Sequence, residues 1–252
     1  IGCGEKIYNY ASGINYMELD CANGIIKEGI QCEDLRALIT QREGINQYGD
    51  PTDVLEAAYI RFYELLGFIP QPASNYVNVG KLFERQCDLL IVAGGGALPV
   101  KYYDRSHNEE LQPHRDIMED KLIKHCIGEG IPIIATCRGM QYLNVLFGGK
   151  LLYHPTLESD RPRGVDHKVY LVEENREIWV NNFHQDVVPA DGLAPCFKPL
   201  AIDRENNTIE AFGSDEMKIL ALQWHPERKF ATANALEDTR RLVINFIQRH
   251  IK

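Results

Sequence analysis

The chain has 252 residues, 44% of them apolar and 25% charged, with a net charge of −9. That balance excludes a disordered chain and is long enough for one sizeable α/β core. The negative charge argues against a broad phosphate-backbone footprint, so no nucleic-acid partner is expected, and no run of about 18 apolar residues exists to span a membrane.

Residues 1–33 read as an N-terminal extension, punctuated by Gly2, Gly4, Gly13, Gly24 and Gly29, and the chain opens on Ile1 rather than Met, so its true start is not visible. Residues 34–252 read as one domain. Leu35 to Thr40 is a buried strand, and Arg42 closes it. Asp50-Pro51 then resembles a helix cap followed by a first-turn proline, and Val54, Leu55, Ala58, Phe62 and Leu65 recur at helical spacing up to Gly67. Phe68-Ile69 opens a short strand before Pro70 and Pro72, and Lys81 to Arg85 is a brief helix. Asp88 to Ala93 is an apolar strand that runs into Gly94-Gly95-Gly96. Pro113 to Glu129 is a helix stopped by Gly130, Ile131 to Thr136 a buried strand, and Arg138 to Phe147 a helix closed by Gly148-Gly149. Beyond Lys150 the strands Val169–Val172, Ile178–Val180, Thr208–Phe212 and Ile219–Gln223 are joined by short polar connections, before a closing helix from Ala235 to Gln248. Strands alternating with helices predict a mostly parallel sheet covered on both faces, with mixed or antiparallel strands added by the second half.

Seven cysteines, at 3, 21, 32, 87, 126, 137 and 196, include no C-x-x-C pair. That pattern argues against a zinc ribbon or a disulfide framework and fits a reduced, cytoplasmic protein better; no metal or cofactor is expected. Most of them read as packing residues. Cys137 differs in its setting, Ile131-Pro-Ile-Ile-Ala-Thr-Cys137-Arg-Gly-Met-Gln141, where an apolar strand runs straight into the sulfur and a helix begins at once. That is the layout of a nucleophile elbow, in which the helix N-terminus favours an anion beside the reactive atom. Cys137 alone would still read as core. The second feature is Trp224-His225-Pro226-Glu227 at the end of another apolar strand. Pro226 turns the chain, and residues two apart face one side, so Glu227 can orient His225 while the second ring nitrogen takes a thiol proton. The third is the glycine string, whose amides can hold an oxyanion together with the Arg138 amide. It matches neither a dinucleotide loop nor a Walker loop, since Ala97-Leu98-Pro99 follows.

Together, Ile39-Thr-Gln-Arg42, Ala93-Gly-Gly-Gly96, Cys137-Arg-Gly-Met-Gln141, Phe147-Gly-Gly149, Asn181-Asn-Phe-His-Gln185 and Trp224-His-Pro-Glu-Arg228 resemble the class I (triad) glutamine amidotransferase superfamily. The likeness is greatest to its stand-alone γ-glutamyl hydrolase branch and runs from about Leu35 to the C-terminus. It implies the flavodoxin-like fold of that superfamily and a Cys137, His225 and Glu227 triad. It also implies oxyanion donors at Gly95 (or Gly94) and Arg138, a glutamyl contact from Gln141, and pocket residues at His184 and Gln185. The chain departs from the family pattern at Ala135, where the elbow usually opens with glycine, and at Ala93, where proline often precedes the glycines.

The resemblance implies a small-molecule γ-glutamyl substrate, cleaved through a thioester to glutamate and an amine. His154-Pro155, Arg161, Arg163 and Asp166-His167 form a polar connection after Gly149. A solvated loop is its plain reading; as a site, Arg161 and Arg163 would bind a phosphate or carboxylate on the amine. That points to a γ-glutamyl nucleotide amidate or a γ-glutamyl amino acid. The rival readings are a glutaminase subunit feeding ammonia to a separate synthetase, a binding protein without activity, and a hydrolase of poly-γ-glutamyl chains. A homodimer or a synthetase partner stays open.

Overall fold

The computed structural model describes residues 35–82, 87–103, 111–153, 164–228 and 233–251. The proposed extension at 1–33 lies outside them. Five strands form the parallel part of the sheet, in the order β4 (Ile69–Ala73), β1 (Arg36–Thr40), β5 (Leu89–Val92), β6 (Ile133–Thr136) and β13 (Ile219–Leu222). Alternate residues along these strands feed two separate cores, as a twofold side-chain period requires. Ala37, Ile39, Leu89 and Ile91 pack with Tyr59 and Phe62 of α1 (Ala57–Leu65) and with Val243 and Phe246 of the C-terminal helix Ala233–His250. On the opposite face, Leu38, Leu90 and Val92 pack with Met118 and Leu122 of Pro113–Glu129 and with Met140 and Leu143 of Arg138–Leu146. In chain order these helices are α5, α3 and α4; α2 is the short Val79–Leu82.

From β13 the sheet continues in antiparallel register through β12 (Thr208–Ser214), β11 (Lys198–Asp203), β8 (His167–Leu171) and β9 (Arg176–Val180). A branch, β10 (Asp186–Pro189), pairs with β12 and with β7 (Leu152–Tyr153). The expected parallel core with a mixed second half is therefore the observed architecture, and among the described residues 11 strands share that sheet.

The structure corrects the reading of residues 50–56. Pro51–Val54 is not a first helical turn but strand β3, paired antiparallel with β2 (Arg42–Ile45). Asn46 closes this hairpin, since its Oδ1 accepts the N–H groups of Tyr48 and Asp50, each at 2.9 Å. Asp50 is thus a turn residue, and α1 starts only after Glu56, which makes no side-chain cap. Arg42 correspondingly opens β2 instead of closing β1. Pro70 and Pro72 lie within β4 rather than ending it, because β4 is the edge of the sheet and its missing N–H groups break no ladder there. By contrast, α3 has the expected bounds, with proline at its start and Gly130 in the left-handed conformation at its end (φ 67°).

Candidate active site

Because β1, β5, β6 and β13 run parallel, the segments that leave their carboxyl ends gather along one edge. Thr136 and Leu222 are register partners, so the residues just past them, Cys137 and the Gln223–Glu227 segment, are neighbours. The Cys137 N–H donates to the Leu222 carbonyl at 2.7 Å. Cys137 itself has φ 53° and ψ −111°, a conformation that non-glycine residues rarely hold, and α4 begins at the next residue. The turn is tight enough that a Cβ at Gly139 would run into the Val92 carbonyl, which explains the glycine there.

His225 is held on every side. Its Nδ1 lies 2.6 Å from Glu227 Oε1, and its ring is also hydrogen-bonded to the Cys137 side chain. Its backbone N–H donates to Asn181 Oδ1 at 2.9 Å, while Asn181 Nδ2 donates to its carbonyl at 2.8 Å. Phe183 meets the ring edge-on, with centroids 5.7 Å apart. Burial disfavours the imidazolium, but the Glu227 carboxylate and the Cys137 sulfur outweigh it and lift His225 to about 9. At neutral pH the ring is therefore a proton donor, charged and facing the sulfur.

The glycine string lies against this pair. A Cβ at Gly94 would sit 2.7 Å from His225 Cε1 and 3.3 Å from Cys137 Cβ, so only glycine fits. The Gly94 amide, offered from sequence as an alternative oxyanion donor, is already committed: it donates to the Tyr59 hydroxyl at 2.8 Å. That leaves the Gly95 amide (φ 83°) and the Arg138 amide, the first N–H of α4, as the candidate oxyanion donors.

The remaining expected residues fall into three groups. Gln141, His184 and Gln185 are all buried. Gln141 Nε2 donates to the Asp186 carbonyl at 2.8 Å and lies 3.2 Å from Gln223 Oε1, so its donor end is engaged within the protein. Burial pushes the His184 imidazole down to about 4, leaving it neutral. The Arg138 side chain turns away from the edge into ion pairs with Asp116 and Glu119. Arg161 and Arg163 lie outside the described residues. Sequence reasoning gives Tyr59 and Asn181 no role; each sits in ordinary amphipathic or motif context that carries no hint of what it touches.

The Peptidase C26 profile matches residues 39–227. The chain belongs to the Peptidase C26 family. Relatives of this C26 chain include protein NtpR of Enterococcus hirae, 30% identical over 184 residues that make up 63% of this chain and 71% of the relative. The γ-glutamyl-CDP-amidate hydrolase of Campylobacter jejuni is 26% identical, covering 64% and 72% respectively. The γ-glutamyl-γ-aminobutyrate hydrolase of Escherichia coli O157:H7 is 25% identical, covering 71% and 80%. Among solved structures, a Thermoplasma acidophilum protein assigned as a GMP synthase subunit superposes with a TM-score of 0.57 at 18% identity, covering 84% of this chain and 94% of its own. A Thermotoga maritima glutamine amidotransferase does so with a TM-score of 0.50 at 15% identity, covering 85% and 84%. These likenesses establish the glutamine amidotransferase fold, and the family is one of hydrolases.

One further cluster in this C26 chain offers donors of the type that bind zinc. His167, His184 and Glu210 are buried, with Glu210 Oε2 3.6 Å from His167 Nε2 and 3.8 Å from His184 Nε2. All three atoms lie within 4.8 Å of one another, whereas ligands of a tetrahedral zinc at about 2.0 Å stand roughly 3.3 Å apart. A depression of about 850 Å³ lined by Tyr76, Asn78, Lys121 and His125 lies elsewhere, and neither Cys137 nor His225 lines it. Among the described residues, no helix is long and apolar enough to cross a membrane.

Proposed function

We propose that this protein hydrolyses the amide of a γ-glutamyl group through a thioester on Cys137. The carrying observation is the sequence of contacts Glu227–His225–Cys137, with a 2.6 Å carboxylate–imidazole contact and the ring hydrogen-bonded to the Cys137 side chain. In the first step the sulfur attacks the γ-carbonyl carbon, and the carbonyl oxygen takes the negative charge against the Gly95 and Arg138 amides. As the C–N bond breaks, His225 gives its proton to the departing nitrogen, and the amine leaves. The now neutral His225 removes a proton from water, which attacks the thioester; glutamate departs, and the sulfur and the protonated His225 return to their starting state. Glu227 keeps the ring oriented in both steps. Two relatives named for γ-glutamyl amide hydrolysis support the choice of substrate class.

The amine portion is proposed to carry an anionic group, as in a γ-glutamyl amino acid or a nucleotide amidate. Arg42 supports this reading. Its stem covers Gly95 so closely that a Cβ there would overlap it, and Nη2 pairs with Glu56 at 2.7 Å. Its Nε is buried and has no hydrogen-bond partner among the described residues. An arginine beside the oxyanion glycine, with a donor to spare, suits a carboxylate or phosphate just beyond the scissile bond. Arg161 and Arg163 stay candidates for the same anion.

Glutamate release from a panel of γ-glutamyl amides tests both levels. Cys137→Ala is expected to abolish turnover with the fold intact, and residual turnover in that variant would refute the mechanism. Arg42→Ala is expected to raise KM about tenfold for γ-glutamyl-γ-aminobutyrate, roughly the value of one charge-assisted contact, and to leave a neutral γ-glutamyl methylamide unchanged. Equal effects on the two substrates would remove Arg42 from the leaving-group site.

A further inference from the structure

A single buried arginine on α3 touches the glycine loop without touching Cys137 or His225. The Arg115 guanidinium is fully buried and donates to three consecutive carbonyls: Ala93 at 2.5 Å, Gly94 at 3.2 Å and Gly95 at 2.7 Å. In a trans peptide the carbonyl and the following N–H point in opposite directions. The Ala93–Gly94 peptide obeys this visibly: its carbonyl is on Arg115 and its N–H is on Tyr59, across the loop. The same rule applies to the next peptide. With the Gly94 carbonyl on Arg115, the Gly95 N–H is turned away from α3. A glycine at φ 83° has little else to fix that orientation.

The fourth donor of Arg115, Nε, reaches Glu119 Oε1 at 2.7 Å, and the other oxygen of Glu119 accepts from Arg138. Arg138 also pairs with Asp116, and Tyr142 ties the Asp116 carbonyl to α4 at 2.7 Å. Thr40 completes the ring, donating to Glu119 Oε1 at 2.7 Å and accepting the Ala93 N–H at 3.0 Å. Burial opposes the charge on Glu119, but the two arginines outweigh it and hold its carboxyl below the usual range. One carboxylate thus joins the residue that fixes the glycine loop to the residue whose amide starts α4.

We propose that Arg115 is the positioning residue of the oxyanion site, orienting the Gly94–Gly95 peptide and, through Glu119, locking it in register with the Arg138 amide. The inference rests on the Cys137 thioester reading but not on the γ-glutamyl substrate. Lysine at this position keeps the positive charge for Glu119 but has no planar fork to reach three carbonyls together.

The test compares two reactions of Cys137, each corrected for background with Cys137→Ala. Acylation by p-nitrophenyl acetate passes through a tetrahedral oxyanion; alkylation by iodoacetamide does not. In Arg115→Lys, acylation is expected to fall about 100-fold, the usual cost of losing an oxyanion donor, with alkylation within about twofold of wild type. Thr40→Val, a milder and isosteric change, is expected to shift the same ratio about fivefold and decides the matter should Arg115→Lys fail to fold. A crystal structure of the lysine variant should show the Gly94–Gly95 peptide rotated. Wild-type acylation in the folded lysine variant, or in Thr40→Val if lysine does not fold, overturns the proposal, as does a parallel fall in both reactions. Normal acylation of the wild type without turnover of any γ-glutamyl amide would defeat the substrate reading alone and leave this test standing.

Discussion

At the scale of single residues, the proposed chemistry depends on a histidine that is charged at neutral pH although it is buried. The Glu227 carboxylate and the Cys137 sulfur supply that charge, and His225 sits near 9 as a result. As the acid that protonates the leaving amine, it is useful only while it keeps its proton. The expected kcat/KM profile therefore declines as pH rises through about 9. Glu227→Gln removes the main raising influence while retaining a hydrogen-bond partner, so the alkaline limb should move down toward the ordinary histidine range near 6.5. A pH–rate profile of the variant checks this, and an unmoved limb would mean that Glu227 does not set the charge state. Cys137, His225 and Glu227 were readable in the sequence because each lies within a short, self-announcing string at a strand end. Tyr59, Asn181 and Arg115 were not. Their partners are 35, 44 and about 20 residues away, and nothing local distinguishes a tyrosine that accepts from Gly94 from one that fills a helix stripe.

At the scale of elements, legibility followed how strongly local chemistry constrains the backbone. The bounds of α3 could be read because proline starts it and a left-handed glycine ends it. The β2–β3 hairpin could not: Arg-Glu-Gly-Ile and Pro-Thr-Asp-Val carry no alternation, and its register comes from Asn46 folding back on Asp50. Likewise β10 and β11 are strands by virtue of β12, which pairs with both. The elbow is the element on which most depends. Its sharpness requires α4 to begin hard against β5, where a Cβ on Gly139 would meet the Val92 carbonyl and, at 3.0 Å, Val92 Cγ1. Backbone cannot yield as a flexible side chain can. Gly139→Ala is therefore expected to cost about 1–3 kcal/mol in denaturant unfolding and to lower kcat further by shifting the Arg138 amide. Ala135, where the family pattern that the sequence resembles opens with glycine, has its side chain buried in the α3–α4 core.

At the scale of the whole molecule, the parallel strands and the antiparallel ones contribute different things to one edge. The parallel half supplies Cys137, the glycine loop and the strand that ends at His225. The antiparallel half carries Asn181, Phe183 and His184 on the segment between β9 and β10, which folds back across His225. Behind that segment lie His167 at the start of β8 and Glu210 in β12, so the His167–Glu210–His184 cluster is buried within the antiparallel half. Whether that cluster holds a metal decides how stability responds to chelation. The carboxylate–imidazole separations of 3.6 and 3.8 Å are too long for hydrogen bonds and wider than the roughly 3.3 Å between ligands of a tetrahedral zinc. A structural zinc here would be part of the folding free energy, and its removal would lower the melting temperature by many degrees. Exhaustive dialysis against EDTA is accordingly expected to leave Tm within about one degree, and Glu210→Leu, which removes a buried carboxylate oxygen without a hydrogen-bond partner among the described residues, should cost no more than about 1 kcal/mol. A chelator-dependent fall in Tm, restored by one equivalent of zinc and absent in Glu210→Leu, would assign the cluster to a metal instead.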